Sequence, residues 1–471
     1  MKVLPRFEKY KRQQALKILK HTSPEKFESI SVRKLMKAVN RSYRISPAYR
    51  DIFRKNNLQL SDIKDLNDFQ AKVPVLNKQN FFNTYSFSEL LGKNRDKMKL
   101  AMSSSGFSGN FAFGFSSEKA LKSGRMGVDT TLDYWFNISN KRTFLINCAP
   151  MGVHIETSLP LAETSVRSDM ALSLLKKIAP QYDQTILVGD PHFLKKLIED
   201  GDEQKIDWKK LQLSMITAQD WLPESLRTYL AARLDMDIDS NDTRGIYATM
   251  GMTELGLNVF HESRYTVGLR RTMIKDKKLK NAFIKTHTEA YPCFFHYYPF
   301  KTYIENRTNE DHEQFLFSVV DTHSILPIVR YSTGDRGQVM KYTHVRDNLT
   351  GKYTHLIPDL KLPIALLFGR TGSKRSVNGN TIYIEDIKEK LYSDFEVASS
   401  ITGLFTLKTS DDRLLLKIHL KENIQKSKNL DKKIYPIVND HSPIEIEVQT
   451  YNYNEFLNGL ELNYEKKLSG S

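Results

Sequence analysis

The chain has few of the residues that staple or anchor a protein. Its two cysteines, Cys148 and Cys293, cannot build a disulfide framework or a four-thiolate zinc site, and their scarcity fits a reducing compartment. No apolar run approaches the roughly 18 residues of a membrane span. The N-terminal stretch MKVLPRFEKYKRQQALKILK scatters charge through its apolar positions and so lacks a signal-peptide core. These absences describe a soluble cytoplasmic protein. There is no internal repeat, no low-complexity tract and no Gly-Lys-Ser/Thr of a Walker loop. His287, His296 and His312 stand without metal-ligand spacing, so no zinc site is expected.

Apolar material is ample. Hydrophobic residues make up 40% and aromatics 11% of 471 residues, which argues against disorder and, at roughly 100–200 residues per domain, for more than one domain. The formal charge is +15, which invites a nucleic-acid reading, but its distribution does not support one. Residues 1–100 carry 23 Lys/Arg against 9 Asp/Glu, a net +14, while 101–372 sum to +2 and 373–471 to −1. The body of the protein is near neutral, and no nucleic-acid partner is expected. The basic excess is local. It is either a solvated helical face or a surface for an acidic carrier protein or, peripherally, an anionic membrane.

The first hundred residues read as helical. Ser23 caps a helix entered by Pro24, the pattern continues through Lys34–Val39, Ser61 resembles a second N-cap, and Pro74 closes a short extended piece. From about residue 97 the texture changes. Lys99–Met102 reads as a strand entering a Ser/Gly-rich turn, Ser117 starts a helix, and Thr143–Asn147 and Thr185–Gly189 are short apolar strands with helices between them. Residues 259–330 look richer in strand. Gly369–Gly372 marks a boundary, beyond which Gly403–Leu407 and Arg413–Ile418 form a hairpin about an Asp-Asp turn, Lys421–Lys433 a solvated helix, and Glu445–Val448 a strand. The expected class is α/β: a large N-terminal domain of sheets flanked by helices over residues 1–370, and a small mobile α+β domain over 371–471.

Four local patterns carry chemistry. Ser103-Ser104-Ser105-Gly106-Phe107-Ser108-Gly109-Asn110 follows a candidate strand, where small residues let backbone N–H groups and hydroxyls approach polyphosphate. Met250-Gly251-Met252-Thr253-Glu254 ends another strand with a hydroxyl and a carboxylate suited to phosphate and a hard cation. Arg330-Tyr331-Ser332-Thr333-Gly334-Asp335 sets an aspartate on a glycine turn, a geometry that accepts two ribose hydroxyls. The fourth is Gly369-Arg370, with Gly379 and Ile384-Glu385 beyond.

In this order and spacing the four resemble the adenylate-forming superfamily of acyl-CoA synthetases, adenylation domains and luciferases, and within it the phenylacetate–CoA ligase-like branch. Ser104–Phe111 matches the family's phosphate loop, Met250–Glu254 its Tyr-Gly-x-Ser/Thr-Glu, and Tyr331–Asp335 after Pro327-Ile328-Val329-Arg330 its Tyr-Arg-Thr-Gly-Asp. Gly369, Arg370, Gly379 and Ile384-Glu385 fall in register with the family's hinge, and Ala218-Gln219-Asp220-Trp221 more loosely with its adenine-contact segment. The match spans residues 95–471 and leaves the basic segment outside the motif-bearing core.

The resemblance implies an adenylate-forming ligase acting in two steps: a small carboxylic acid attacks the α-phosphate of Mg·ATP, and a thiol, coenzyme A foremost, then displaces AMP. An amine or a carrier-protein thiol as acceptor, or a non-catalytic nucleotide-binding relative, are the alternatives. It implies that Ser104, Ser105, Gly106, Ser108 and Gly109 cradle phosphate and that Ala218, Met250 and Gly251 contact adenine. It also implies that Thr253 and Glu254 serve phosphate and Mg²⁺, that Asp335 and Arg370 grip the ribose, and that Lys467, or its neighbour Lys466, reaches the reacting atoms. Asn110 and Phe107 replace the family's lysine and threonine, Met250 its adenine-stacking tyrosine, and Gly372 and Ser373 its hinge acids. A thioether still packs on an aromatic face. Among residues the family sets near the acid, His154 is a candidate to orient it, and Cys293 to accept an acyl group, although a turn histidine and an inert thiol are the plainer readings.

Overall fold

The computed structural model describes residues 6–104, 111–239, 243–284, 291–309, 312–410, 413–456 and 462–465. Its centre is a mixed sheet. Across it lie Thr302–Asn309, His312–Val319, Tyr331–Met340, Ile364–Arg370, Cys293–His296, Gly256–His261, Ile246–Met252, Leu213–Thr217, Gln184–Gly189, Thr143–Asn147 and Leu161–Glu163. The half from Ile246–Met252 to Leu161–Glu163 is parallel. Its strands Thr143–Asn147, Gln184–Gly189 and Leu213–Thr217 are buried along their whole length, as strands covered by helices on both faces must be. The other half is antiparallel. An α/β architecture is therefore present, with a local correction: within the stretch expected to be strand-rich, Arg264–Lys275 and Lys277–Phe283 are helices, capped by Ser263 and Asp276.

The basic N-terminal segment is helical, in Arg6–His21, Pro24–Ile45, Pro47–Lys55 and Leu66–Lys72. Ser23 accepts from the Lys26 N–H ahead of Pro24, the cap its sequence suggests. Ser61 is not a cap; it lies inside a short 3₁₀ turn, Leu60–Asp62, that Gln59 begins. This segment is part of the body of the protein rather than an appendage. Leu35, Tyr49, Phe53, Phe69 and Phe81 bury against Val320, Ile328 and Tyr331. Leu76 pairs with Tyr331 through hydrogen bonds on both sides, Leu76 N–H to Arg330 O and Ser332 N–H to Leu76 O. Arg330, with φ +52°, donates to Val73 O at 2.5 Å and pairs with Glu305 at 3.2 Å. It ties segment to sheet rather than facing substrate.

Beyond Arg370 the chain leaves the large sheet. Lys374–Val377 and Asn380–Tyr383 make a two-residue hairpin through Asn378 and Gly379, both at positive φ, the turn that matches strand twist. Ile401–Ser410, Arg413–Leu420 and Ile446–Tyr451 form a three-stranded sheet; its last two strands are parallel, so the connection crosses over through the helix Lys428–Asn439. That helix begins at Lys428 behind the Ser427 cap, seven residues later than the sequence pattern suggested. The Asp-Asp turn lies outside the described residues. This unit packs on the large sheet's helices: buried Lys388 pairs with Asp220 at 2.6 Å, His192 Nδ1 with the Tyr392 hydroxyl at 2.8 Å, and Lys195 donates to Ile401 O at 2.9 Å. No helix among the described residues is long and apolar enough to cross a membrane.

The link between segment and sheet includes a buried hydrogen bond from Val329 N–H to the Tyr49 hydroxyl at 2.7 Å. Tyr49→Phe leaves that N–H unsatisfied and is expected to cost about 1–3 kcal/mol, read as a lower urea midpoint with an unchanged slope.

Candidate active site

Strand register builds the site. Asp335 on Tyr331–Met340 stands opposite Arg370 on Ile364–Arg370. Asp335 is buried to 2% exposure, accepts from the Thr333 hydroxyl at 2.6 Å and meets Arg370 Nε at 3.3 Å, whereas the Arg370 side chain is half exposed. A fixed carboxylate beside a reachable guanidinium suits a polar ligand that brings hydroxyls and negative charge together. Gly334, at φ +82°, makes the turn ahead of Asp335, and Thr371 N–H closes it onto Gly334 O at 3.0 Å.

Behind this pair the end of the strand packs closely on the helix Ile384–Leu391. A Cβ on Gly369 would lie 2.0 Å from Glu385 Oε1, so only glycine fits. The Ser373 hydroxyl lies 2.7 Å from Arg370 O and 2.9 Å from Glu385 Oε2, and Arg336 donates to Phe368 O and Arg370 O while covering the Tyr383 ring at 4.0 Å. Ser373 thus bridges the hinge by hydrogen bonds where an acid was expected.

Glu254 ends the turn after Ile246–Met252, close enough to Asp335 to feel its charge. Burial raises its carboxyl pKa, the nearby charge of Lys78 lowers it, and Asp335 raises it further. The Tyr331 hydroxyl faces Glu254 without a hydrogen bond of good geometry. A carboxylate held up by burial beside a lysine fits a Mg²⁺ ion that takes most ligands from phosphate and water. Among the described residues no group of three or more metal-ligating side chains exists.

The Ser/Gly loop springs from a hairpin, Met98–Ser103 with Phe113–Ser117. Ser104 closes its neck, donating N–H to Ala112 O and accepting Ala112 N–H at Oγ, each at 2.9 Å. Ser105, Gly106, Phe107, Ser108, Gly109 and Asn110 lie outside the described residues. The hairpin's place is nonetheless fixed, because a Cβ on Gly114 would fall 1.8 Å from Thr253 O. The neck therefore crosses directly over Thr253, and Ser104, Thr253 and Glu254 belong to one neighbourhood. Met250 is half-buried beside exposed Gly251, in a strand whose pairing shifts register at this point. Ala218 follows Leu213–Thr217, its N–H bonded to Gly189 O at 3.0 Å, with Gln219 at φ +75°.

Other candidates resolve differently. His154 is half exposed and bound at Nδ1 to Glu163, 2.6 Å away, a surface pair. Burial pushes both Cys148 and Cys293 thiols up to about 12, and Cys293 sits against the buried Arg270; neither is a nucleophile at neutral pH. His296 is buried beside His261, His287 lies outside the described residues, and nothing is described of the His312 side chain. Lys466 and Lys467 also lie outside them. Two residues had no signal of their own in the sequence. Lys78 is an ordinary helix lysine in a basic stretch, and Gly114 an ordinary strand glycine; only the packing of distant segments gives them meaning.

No protein-family model and no curated protein sequence matches the chain. Solved structures do. It is similar to 2-hydroxyisobutyryl-CoA ligase in the postadenylation state with a bound acyl-AMP, at 12% identity and TM-score 0.68 over 94% of this chain and 88% of that one. The same ligase with a second adenylate, 2-HIB-AMP, in that state gives 13% and 0.68, with the same coverage. With 2-HIB-AMP and CoA in the thioesterification state it gives 13% and 0.53 over 95% and 90%. The chain has the fold of these adenylate-forming enzymes.

Two outcomes are expected. A nucleotide–Mg²⁺ complex needs Glu254 ionised, so affinity should rise as pH increases through its raised pKa and fall on the acid side, measured by calorimetry with Mg·ATP; Glu254→Gln should flatten that profile. Lys78→Met, which removes a cation beside Glu254, should weaken Mg·ATP binding by about tenfold, the equivalent of one charge-assisted contact, with the thermal midpoint little changed.

Proposed function

We propose that the chain belongs to the adenylate-forming superfamily and couples ATP to the activation of a small carboxylic acid as an acyl-adenylate, then passes the acyl group to coenzyme A. The observation that carries this is the Asp335–Arg370 pair set across from Glu254 under the neck of the Ser/Gly hairpin. We read the pair as the ribose grip and Glu254 as the carboxylate that serves Mg²⁺. The fold shared with acid–CoA ligases supports the reading.

Joining a carboxylate to a polyphosphate brings two anions together, so the barrier falls when donors and cations are already in position. Asp335 and Arg370 grip the ribose, the guanidinium from its half-exposed position. Ser104, with Ser105, Gly106, Ser108 and Gly109, contributes hydroxyl and N–H donors to the outer phosphates. Thr253 adds a hydroxyl, Lys78 a positive charge, and Met250, Gly251 and Ala218 the adenine surface. Mg²⁺ bound at Glu254 would neutralise phosphate charge and polarise the leaving pyrophosphate. Residues 371–471 act as a lid turning about the Arg370–Ser373 hinge, bringing Lys467 to the α-phosphate in the first step. We read the motif order as that of the phenylacetate–CoA ligase-like branch.

A panel of aryl, hydroxy and fatty acids in ATP–pyrophosphate exchange tests the proposal. At least one acid should support exchange, and Lys467→Ala should abolish it while Mg·ATP still binds. Absence of exchange across the panel contradicts it.

A further inference from the structure

The last described residues of the chain reach the large domain through Tyr464 and Glu465. Leu462 and Tyr464 pack on Leu404 of the small three-stranded sheet, and the Tyr464 ring meets Phe193 of the large domain edge-on at 5.5 Å. The next residue, Glu465, extends to the loop that follows Thr143–Asn147. Its Oε2 accepts the Met151 N–H at 2.6 Å and its Oε1 the Ser165 hydroxyl at 2.7 Å. Ser165 holds φ +51°, and both it and Met151 border a cavity of about 290 Å³ shared with Asn147, Ala149, His154 and Glu163. The loop stands at the carboxyl end of the parallel strand next to the sheet's edge, the side on which such sheets bind ligands. None of the catalytic roles above uses this carboxylate.

We propose that Glu465 is a positioning residue: its two-pronged bond to Met151 and Ser165 latches the C-terminal tail to the large domain for acid activation and must open for the thiol step. The kinetic part rests on the acid-activating reading above. The first step as proposed uses Lys467, two positions after Glu465 in the sequence, so the latch bears on that step. Hydrogen bonds to an ionised carboxylate are stronger than neutral ones, yet only two must break for release. The latch is tight enough to order the tail and weak enough to exchange.

Amide hydrogen exchange on the full-length protein tests the latch without any substrate. Met151 is 84% exposed, so little besides Glu465 shields its N–H. In Glu465→Ala that amide should exchange about tenfold faster, the loss of one charged hydrogen bond. Glu465→Gln should stay close to wild type, since its carbonyl accepts from Met151 and its amide donates to the Ser165 oxygen. With the acid found by the exchange panel, Glu465→Ala should lower ATP–pyrophosphate exchange about tenfold but change conversion of preformed acyl-AMP and CoA by less than about twofold, because positioning serves only the first step. Glu465→Gln should restore most of the exchange. Unchanged Met151 protection, or equal loss in both half-reactions, overturns the proposal. If no acid supports exchange in the wild type, the acid-activating reading fails, and the amide measurement alone decides the latch.

Discussion

The register that sets Asp335 opposite Arg370 is the constraint on which the rest of the site depends. A slip of one residue would turn every side chain on that strand to the other face, taking the carboxylate from the ligand and burying Gly334, whose positive φ makes the turn. Two close approaches hold the register. Gly369 lies so near Glu385 that no side chain fits, which ties the strand carrying Arg370 to the helix beyond the hinge. Leu76 pairs with Tyr331 at the start of the aspartate strand, which ties it to the N-terminal helices. The candidate site is thus a junction of three segments far apart in the chain.

That junction gives the basic N-terminal region a different standing from the one its charge suggests. Its net +14 marks it as separate from a neutral body, but its apolar face is part of the core beside Tyr331, and Lys78 within it acts on Glu254. Most of its positive charge remains solvated on the outer helix faces, where screening keeps its energetic weight small.

What could be read from the sequence follows from how local each feature is. The Thr333-Gly334-Asp335 turn and the Gly369-Arg370 pair are short-range chemistry, so residue types at fixed spacing identify them, whereas the Asn378-Gly379 hairpin went unread. The buried parallel strands were legible for the same reason, as short apolar runs between turn signals. Lys78, Gly114, Ser373 and Glu465 were not legible, because each owes its role to a partner many residues away: Glu254, Thr253, Glu385 and Met151. The helices at 264–283 were missed where alternating apolar residues outweighed the Ser263 and Asp276 caps. The turn near Ser61 was displaced because Gln59, a weak cap by propensity, took the role with Asp62.

The central claim is that a nucleotide binds with its ribose on Asp335 and its phosphates toward Glu254 and the neck of the Ser/Gly hairpin. A crystal structure with AMP tests this most directly. The account predicts ribose hydroxyls on the Asp335 carboxylate, Arg370 turned to the ligand, and adenine against Met250 and Ala218. AMP bound away from Asp335 and Arg370, or no AMP bound at saturating concentration, would contradict it.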